Sequence, residues 1–201
     1  MTPAYNGSGI DGTAYTDINT LTHHTPAWLN HLISAWSLYG LTLFAVLMLA
    51  AWWQARRTQS PAAVTALALP LITLAGFAAD LLLKLVVRED RPCQSLHVTV
   101  LETCPAPGDW SFPSNHAAIA SAAAIALLYV SRRLGTIALT AALLMAASRV
   151  WVGVHYPHDV LAGLALGALV AALCTRAIHR RQDALAHRLH HSPLRPLLTT
   201  P

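Results

Sequence analysis

Charge is in short supply in this sequence. Asp, Glu, Lys and Arg together supply 11% of its 201 residues, while 55% are hydrophobic. Soluble domains carry about a quarter charged residues, so the shortage excludes an ordinary soluble globule and points to a single integral membrane domain. Cysteine is scarce too. Three of them, without paired metal-ligand spacing, exclude a disulfide scaffold and a thiolate metal site. Met1 to His24 contains no Lys or Arg, so it lacks the positive start of a secretory signal peptide. The net charge of +4 does not make a nucleic-acid-binding protein, because the basic residues form no aromatic-interleaved patch.

What is present is a series of apolar stretches long enough for a hydrocarbon core of about 30 Å. Trp28 to Trp53 is the first, with tryptophans at both ends as interface anchors. Pro61 to Val87, Ala117 to Val130, Leu134 to Val152 and Pro157 to Ala177 follow. The expected fold is therefore all-α, a polytopic transmembrane helix bundle of about five spanning helices. A short interfacial helix is expected over Ala14 to Leu21. Residues 1–27 read as an extracytoplasmic or interfacial segment, 28–178 as the membrane domain and 179–201 as a basic cytoplasmic tail. With five spans, Arg56, Arg57, Arg132, Arg133 and the tail arginines share one side, the cytoplasm by the positive-inside rule. The tail from His179 to His191 reads as a helix on anionic headgroups. His187, His190 and His191 lack an accompanying carboxylate pattern and so suggest no metal site. Gly163 and Gly167, spaced as small-xxx-small, read as close helix packing, and Cys174 as a small packing residue.

The remaining polar residues gather in three places. Ser148 to Asp159 sets Arg149, His155 and Asp159 between two apolar segments, with Pro157 suited to a first helical position. His155 then lies just outside a helix whose first turn holds Asp159, and a carboxylate on one imidazole nitrogen leaves the other free as base or nucleophile. Lys84 and Arg91, seven apart, would lie on nearly one face of a continued helix. Pro113-Ser114-Asn115-His116 opens another apolar helix with free backbone N–H groups, a hydroxyl and an imidazole, which suits a phosphate.

In order and spacing, Lys-x6-Arg-Pro, Pro-Ser-Asn-His and Ser-Arg-x5-His-x3-Asp resemble the three signature motifs of the type 2 phosphatidic acid phosphatase superfamily, over roughly Pro61 to Arg176. A weaker likeness at Ile18 to His24 resembles the amino-terminal segment of the bacitracin-resistance type of undecaprenyl-diphosphatase. Asn115 departs from the second motif, which usually has glycine there; a neutral amide still keeps the backbone donor. The resemblance implies metal-independent phosphate-ester or diphosphate hydrolysis through a phosphohistidine, with no cofactor. His155 would be the nucleophile, Asp159 its orienting carboxylate and His116 the acid that protonates the leaving oxygen. Lys84, Arg91, Arg149, Ser114 and Asn115, with the backbone N–H groups of 114–116, would hold the phosphate.

The implied partner is a lipid diphosphate or phosphate in the outer leaflet of a bacterial cytoplasmic membrane, first of all a polyprenyl diphosphate such as undecaprenyl diphosphate. Phosphatidic acid and phosphatidylglycerol phosphate are alternative substrates. A non-catalytic lipid-phosphate carrier is the alternative of another class. Two histidines and an aspartate could also suit zinc, but three nearby cations would repel it. Asp80, one turn before Lys84, reads as pairing with that lysine or being neutralised near it. His97 and His158 read as solvent-facing. Cys93 and Cys104, in a loop on the oxidising side, suit a disulfide.

Overall fold

The computed structural model describes residues 4–58, 62–191, 193 and 195–198. Pro61, the ends of the first and last expected segments, and the His190 side chain lie outside the described residues. The elements are α1 (Ser8–His24), α2 (Ala27–Tyr39), α3 (Leu41–Arg57), α4 (Ala62–Val87), α5 (Pro92–Ser95), α6 (Asn115–Leu128), α7 (Arg132–Trp151), α8 (Pro157–His179), α9 (Gln182–His190) and a 3-10 turn at Arg195–Leu197. Among the described residues the only strand-like pairing is an isolated parallel bridge between Tyr5 and Glu89.

Among the described residues three helices, α4, α7 and α8, are long and apolar enough to cross a membrane. The first expected span is broken: α2 and α3 meet at a 52° bend and together count as a fourth. Gly40 stands at the break, where a Cβ would lie 2.7 Å from the Met145 Cε and press on the Trp36 carbonyl, so the bend seats directly on α7. The third expected span, α6, has only 14 residues, about 21 Å at 1.5 Å per residue. It is nevertheless the centre of the bundle, packed by α3, α4, α7 and α8.

Sequence explains why α6 can sit there. Ala117, Ala118, Ala120, Ala122, Ala123, Ala124 and Ala126 are all fully buried, and small side chains let neighbouring backbones approach. Gly163 and Gly167 of α8 meet the same helix: a Cβ on Gly163 would lie 3.1 Å from the Ala117 Cβ, and one on Gly167 would strike the Ala118 carbonyl. The expected close packing within the fold is thus the α6–α8 seam.

Two terminal segments are more firmly docked than the sequence suggested. The expected short helix over Ala14 to Leu21 runs from Ser8 to His24 and turns Gly12, Tyr15, Asn19 and Thr22 inward. That three-and-four spacing is a helix face, but it is largely polar and so invisible to hydropathy. Tyr15 is fully buried, and its hydroxyl donates to the Gly153 carbonyl at 2.9 Å. The tail is not simply a headgroup-facing helix either. Leu185 and Ala186 pack against the core, Leu198 is buried, and the Trp52 indole N–H donates to the Leu197 carbonyl at 2.9 Å.

Candidate active site

The third motif folds as a helix end, a tight turn and a helix start. Arg149 lies in the last turn of α7. The chain then reverses through Gly153, whose φ of +90 is a region glycine enters without a Cβ penalty. Pro157 begins α8, and Asp159 in its first turn accepts the Tyr156 backbone N–H at 2.8 Å. The same carboxylate oxygen lies 3.3 Å from the His155 Nδ1.

Opposite, the His155 Nε2 is 3.2 Å from the Arg91 Nη1. Guanidinium donates only, so Nε2 must offer its lone pair and Nδ1 must carry the proton toward Asp159. His155 is buried. Desolvation, reinforced by Arg91, Arg149, Lys84 and His116, holds its pKa well below the usual imidazole value. The Arg91 contact and the burial both point to a neutral imidazole whose unprotonated nitrogen is the one beside Arg91.

Lys84 and Arg91 reach this place without sharing a helix. α4 stops at Val87, Arg88 takes a left-handed φ of 51, and Arg91 lies at the N-cap of the short α5. The expected continued helix face is corrected accordingly, yet both side chains end up buried beside His155. Lys84 donates to the Trp110 carbonyl at 2.6 Å and the Ser111 carbonyl at 3.3 Å. Arg91 donates to the Asp109 carbonyl at 2.8 Å and the Val154 carbonyl at 2.9 Å, and pairs with the Asp109 carboxylate at 3.0 Å. Arg149 bonds the Ser37 hydroxyl and pairs with Glu102 at 3.0 Å. The loop carrying Glu102 and Asp109 is closed by a Cys93–Cys104 disulfide, as expected, with Cα atoms 6.0 Å apart.

The second motif begins after a cis Phe112–Pro113 bond. Ser114 is the N-cap of α6, but its N–H is not free, because it donates to the Asp159 carbonyl at 3.1 Å. That leaves the N–H groups of Asn115 and His116, which have no intrahelical acceptor at a helix start. The Ser114 Oγ, the Asn115 Oδ1 and the Arg149 Nε are buried without a partner. Buried polar atoms are rarely left so, and three of them, one on each of three motif residues, fit a site built to receive a polar ligand. His116 is half-buried, and Arg149, Arg91 and Lys84 all act on its imidazole.

Several residues were missed or misjudged from sequence. Ser111 is fully buried, donates to Asp159 and lies 3.4 Å from the His155 Nδ1, so it braces the His–Asp pair. Its only signal was a serine three positions before Ser114. Asp80 makes no ion pair with Lys84, although the two lie close enough for their charges to act on each other. Both of its oxygens are buried without a hydrogen-bond partner, because the ammonium turns toward the 110–111 carbonyls instead. His97 is exposed as expected. His158 is not: it contacts Asp11 and Glu89 at 2.8 and 2.9 Å. Glu89, His158 and Asp159 converge closely enough to suggest a metal site. Both ring nitrogens of His158 face carboxylates, the arrangement of an imidazolium between acidic partners.

A helix bundle with a buried His–Asp pair, three cations and orphaned helix-terminal donors defines a membrane phosphatase class. The chain belongs to the PAP2 superfamily, whose pattern matches residues 64–183, and it is a multi-pass membrane phosphatase of that superfamily. It is 32% identical over 165 residues to undecaprenyl-diphosphatase BcrC of Bacillus subtilis (strain 168), covering 79% of each chain. It is 41% identical over 91 residues to an undecaprenyl-diphosphatase of Sulfolobus acidocaldarius, covering 45% of this chain and 44% of that one. Among solved structures the fold matches Aquifex aeolicus LpxE at a TM-score of 0.66 and 22% identity, over 85% of this chain and 98% of the other.

Proposed function

We propose that this phosphatase hydrolyses a polyprenyl diphosphate, with undecaprenyl diphosphate the first candidate, to the monophosphate and inorganic phosphate. The observation that carries the reading is the His155 Nε2, which is unprotonated, accepts from Arg91 at 3.2 Å and lies on the ring opposite the nitrogen that faces the Asp159 carboxylate. A phosphoryl oxygen held by Arg91 would present phosphorus to that nitrogen. Attack forms the N–P bond as the P–O bond to the prenyl monophosphate breaks, and His116 gives a proton to the departing oxygen. Water, deprotonated by His116, then attacks the phosphohistidine and releases phosphate. Lys84, Arg91, Arg149 and the N–H groups of Asn115 and His116 stabilise charge on the equatorial oxygens. On this reading no metal is needed.

The similarity to undecaprenyl-diphosphatases supports the substrate class. A lipid tail also has a place to lie. An apolar groove of about 370 Å³ between α2 and α7 is lined by Leu32, Ile33, Trp36, Leu144 and Trp151, and its wall includes Ser148, next to Arg149. With α6 counted as a fifth, short crossing, the positive-inside rule supports a site in the outer leaflet; labelling of the 88–112 loop in intact cells, with the tail protected, is the expected check.

The test is single-turnover hydrolysis with chelator present, on diphosphate and monophosphate lipids. His155→Ala should abolish turnover but keep lipid-phosphate binding. His116→Ala should harm monoester hydrolysis more than diphosphate hydrolysis, because a phosphate leaving group needs less protonation than an alkoxide. Normal turnover by His155→Ala, or activity lost to chelator and restored by Zn²⁺ or Mg²⁺, would overturn the phosphohistidine. Binding without turnover by the wild type would make the chain a carrier.

A further inference from the structure

We propose that His158 is a positioning residue for the reaction, an imidazolium that ties the amino-terminal helix and the loop before the second motif to Asp159. The inference rests on the phosphohistidine reading for its catalytic consequence only. Three carboxylates converge on this one ring. The Nδ1 lies 2.8 Å from the Asp11 Oδ1 of α1. The Nε2 lies 2.9 and 3.2 Å from the two oxygens of Glu89, and 3.5 Å from the Asp159 Oδ1. A neutral imidazole could donate to only one side, whereas the doubly protonated ring serves the carboxylates on both.

The neighbours make the charge necessary. Glu89 and Asp159 are almost wholly buried, and without a cation between them two carboxylates would share a site of low dielectric. A cation in the first turn of a helix is ordinarily unfavourable, and here the carboxylates offset that. Asp11 further accepts the His158 backbone N–H at 2.7 Å, so α1 caps α8. The ring is also held between two aromatic faces, Phe112 at 5.9 Å and Tyr156 at 5.4 Å, arrangements that favour a cation. Gly7, just before α1, lies so close to Glu89 that no Cβ would fit.

The connection to the chemistry is short. Phe112 adjoins Ser111, which donates its N–H to the Glu89 carbonyl at 2.7 Å and its hydroxyl to Asp159. Tyr156 adjoins His155, and its hydroxyl bonds Ser95 at 2.7 Å. Loss of the His158 proton would leave Asp11, Glu89 and Asp159 facing a neutral ring. The repulsion would release α1 and shift Asp159, so His155 would lose its orienting partner.

The experiment follows turnover of a lipid diphosphate from pH 6 to 10 by wild type, Asp11→Asn, His158→Gln and His158→Arg, with hydrogen exchange of Ser8–His24 measured on the same samples. Removing one of the carboxylates should move the alkaline limb of kcat in Asp11→Asn down by about one to two pH units, with KM little changed and α1 losing protection over the same range. His158→Gln should lower kcat about ten-fold or more with no such limb. His158→Arg, which keeps the charge and a planar stacking group, should restore much of the rate. Superimposable profiles for Asp11→Asn and wild type, or wild-type kcat in His158→Gln, would overturn the proposal. Should His158→Gln fail to fold, Asp11→Asn still decides. Failure of the phosphohistidine reading would appear instead as a fully active His155→Ala, and the exchange measurement does not depend on turnover.

Discussion

Gly163→Ala should damage catalysis from the back of the site. A Cβ there would lie 2.6 Å from the Ser114 carbonyl, 3.1 Å from the Ala117 Cβ and 3.3 Å from the Ala118 nitrogen. A carbon sits no closer than about 3.4 Å to such an oxygen without repulsion, so α6 and α8 must part by about 0.8 Å at that point. None of the three atoms is the end of a flexible side chain, so the helices themselves have to move. Overpacking of this kind costs about 1–3 kcal/mol, or several degrees of melting temperature for a chain of this length. The moved segment is the start of α6, which carries Ser114, Asn115 and His116 and is tied to α8 by the Ser114 N–H bond to the Asp159 carbonyl. Displacements of about 1 Å can cost roughly 100-fold in rate, so a loss of about 10- to 100-fold in turnover is expected. The assay is phosphate release and thermal unfolding in detergent, beside Gly9→Ala as control, where a Cβ meets nothing within 4 Å. Unfolding temperature and turnover equal to those of Gly9→Ala would refute the reasoning.

Three further outcomes are expected. Glu102→Gln should lower KM for a lipid diphosphate by up to about five-fold, because it frees Arg149 from a partly exposed ion pair; a raised KM would show that Glu102 instead holds Arg149 in place. Intact mass spectrometry without reductant should find Cys174 as the one free thiol, and Cys93→Ser should lower stability by about 2–3 kcal/mol, since the bridge closes a short loop; three free thiols would end that expectation. His155, whose folded pKa is depressed, stays neutral while the unfolded chain takes up a proton below about pH 6.5. Its contribution is therefore fully present above that pH and falls by about 1.4 kcal/mol per unit as the pH drops toward the folded value. Melting curves of wild type and His155→Gln should diverge over that acid range, and parallel curves would contradict it.

The candidate site was legible because charge is so rare in this chain. Against an apolar background, Lys84, Arg91, Arg149, His155 and Asp159 stand out, and each motif's spacing carries its residues to one end of the bundle. What escaped were partners distant along the chain. His158 falls on no motif position, and its partner Asp11 is 147 residues away, so nothing local marks the ring as buried. Hydropathy likewise found the apolar stretches but not the bend at Gly40, where packing against Met145 decides. It also placed α6 without showing that a helix of 14 residues would be the centre. Asp80 looked like a local pair by its i,i+4 spacing, yet backbone carbonyls 26 and 27 residues beyond Lys84 claim the ammonium.

The distribution of partners among the cations bears on which phosphate the site prefers. Arg91 is committed on several sides, to two backbone carbonyls, to the Asp109 carboxylate and to His155, so it acts mainly as a fixed donor whose direction is set by the fold. Arg149 is shared between Ser37 and Glu102 and keeps a buried Nε without a partner. Among the described residues Lys84 has no carboxylate within ion-pair distance and bonds only carbonyl oxygens. A buried ammonium with no carboxylate in direct contact, only more distant ones at Asp80, Asp109 and Asp159, gains most from an incoming anion. On the proposed reading, Lys84 therefore supplies the strongest pull on the phosphate head, while Arg149 responds only to a ligand that can compete with Glu102. A diphosphate brings more negative charge to that competition than a monoester does, and this asymmetry between the cations is the physical ground for expecting the site to favour it.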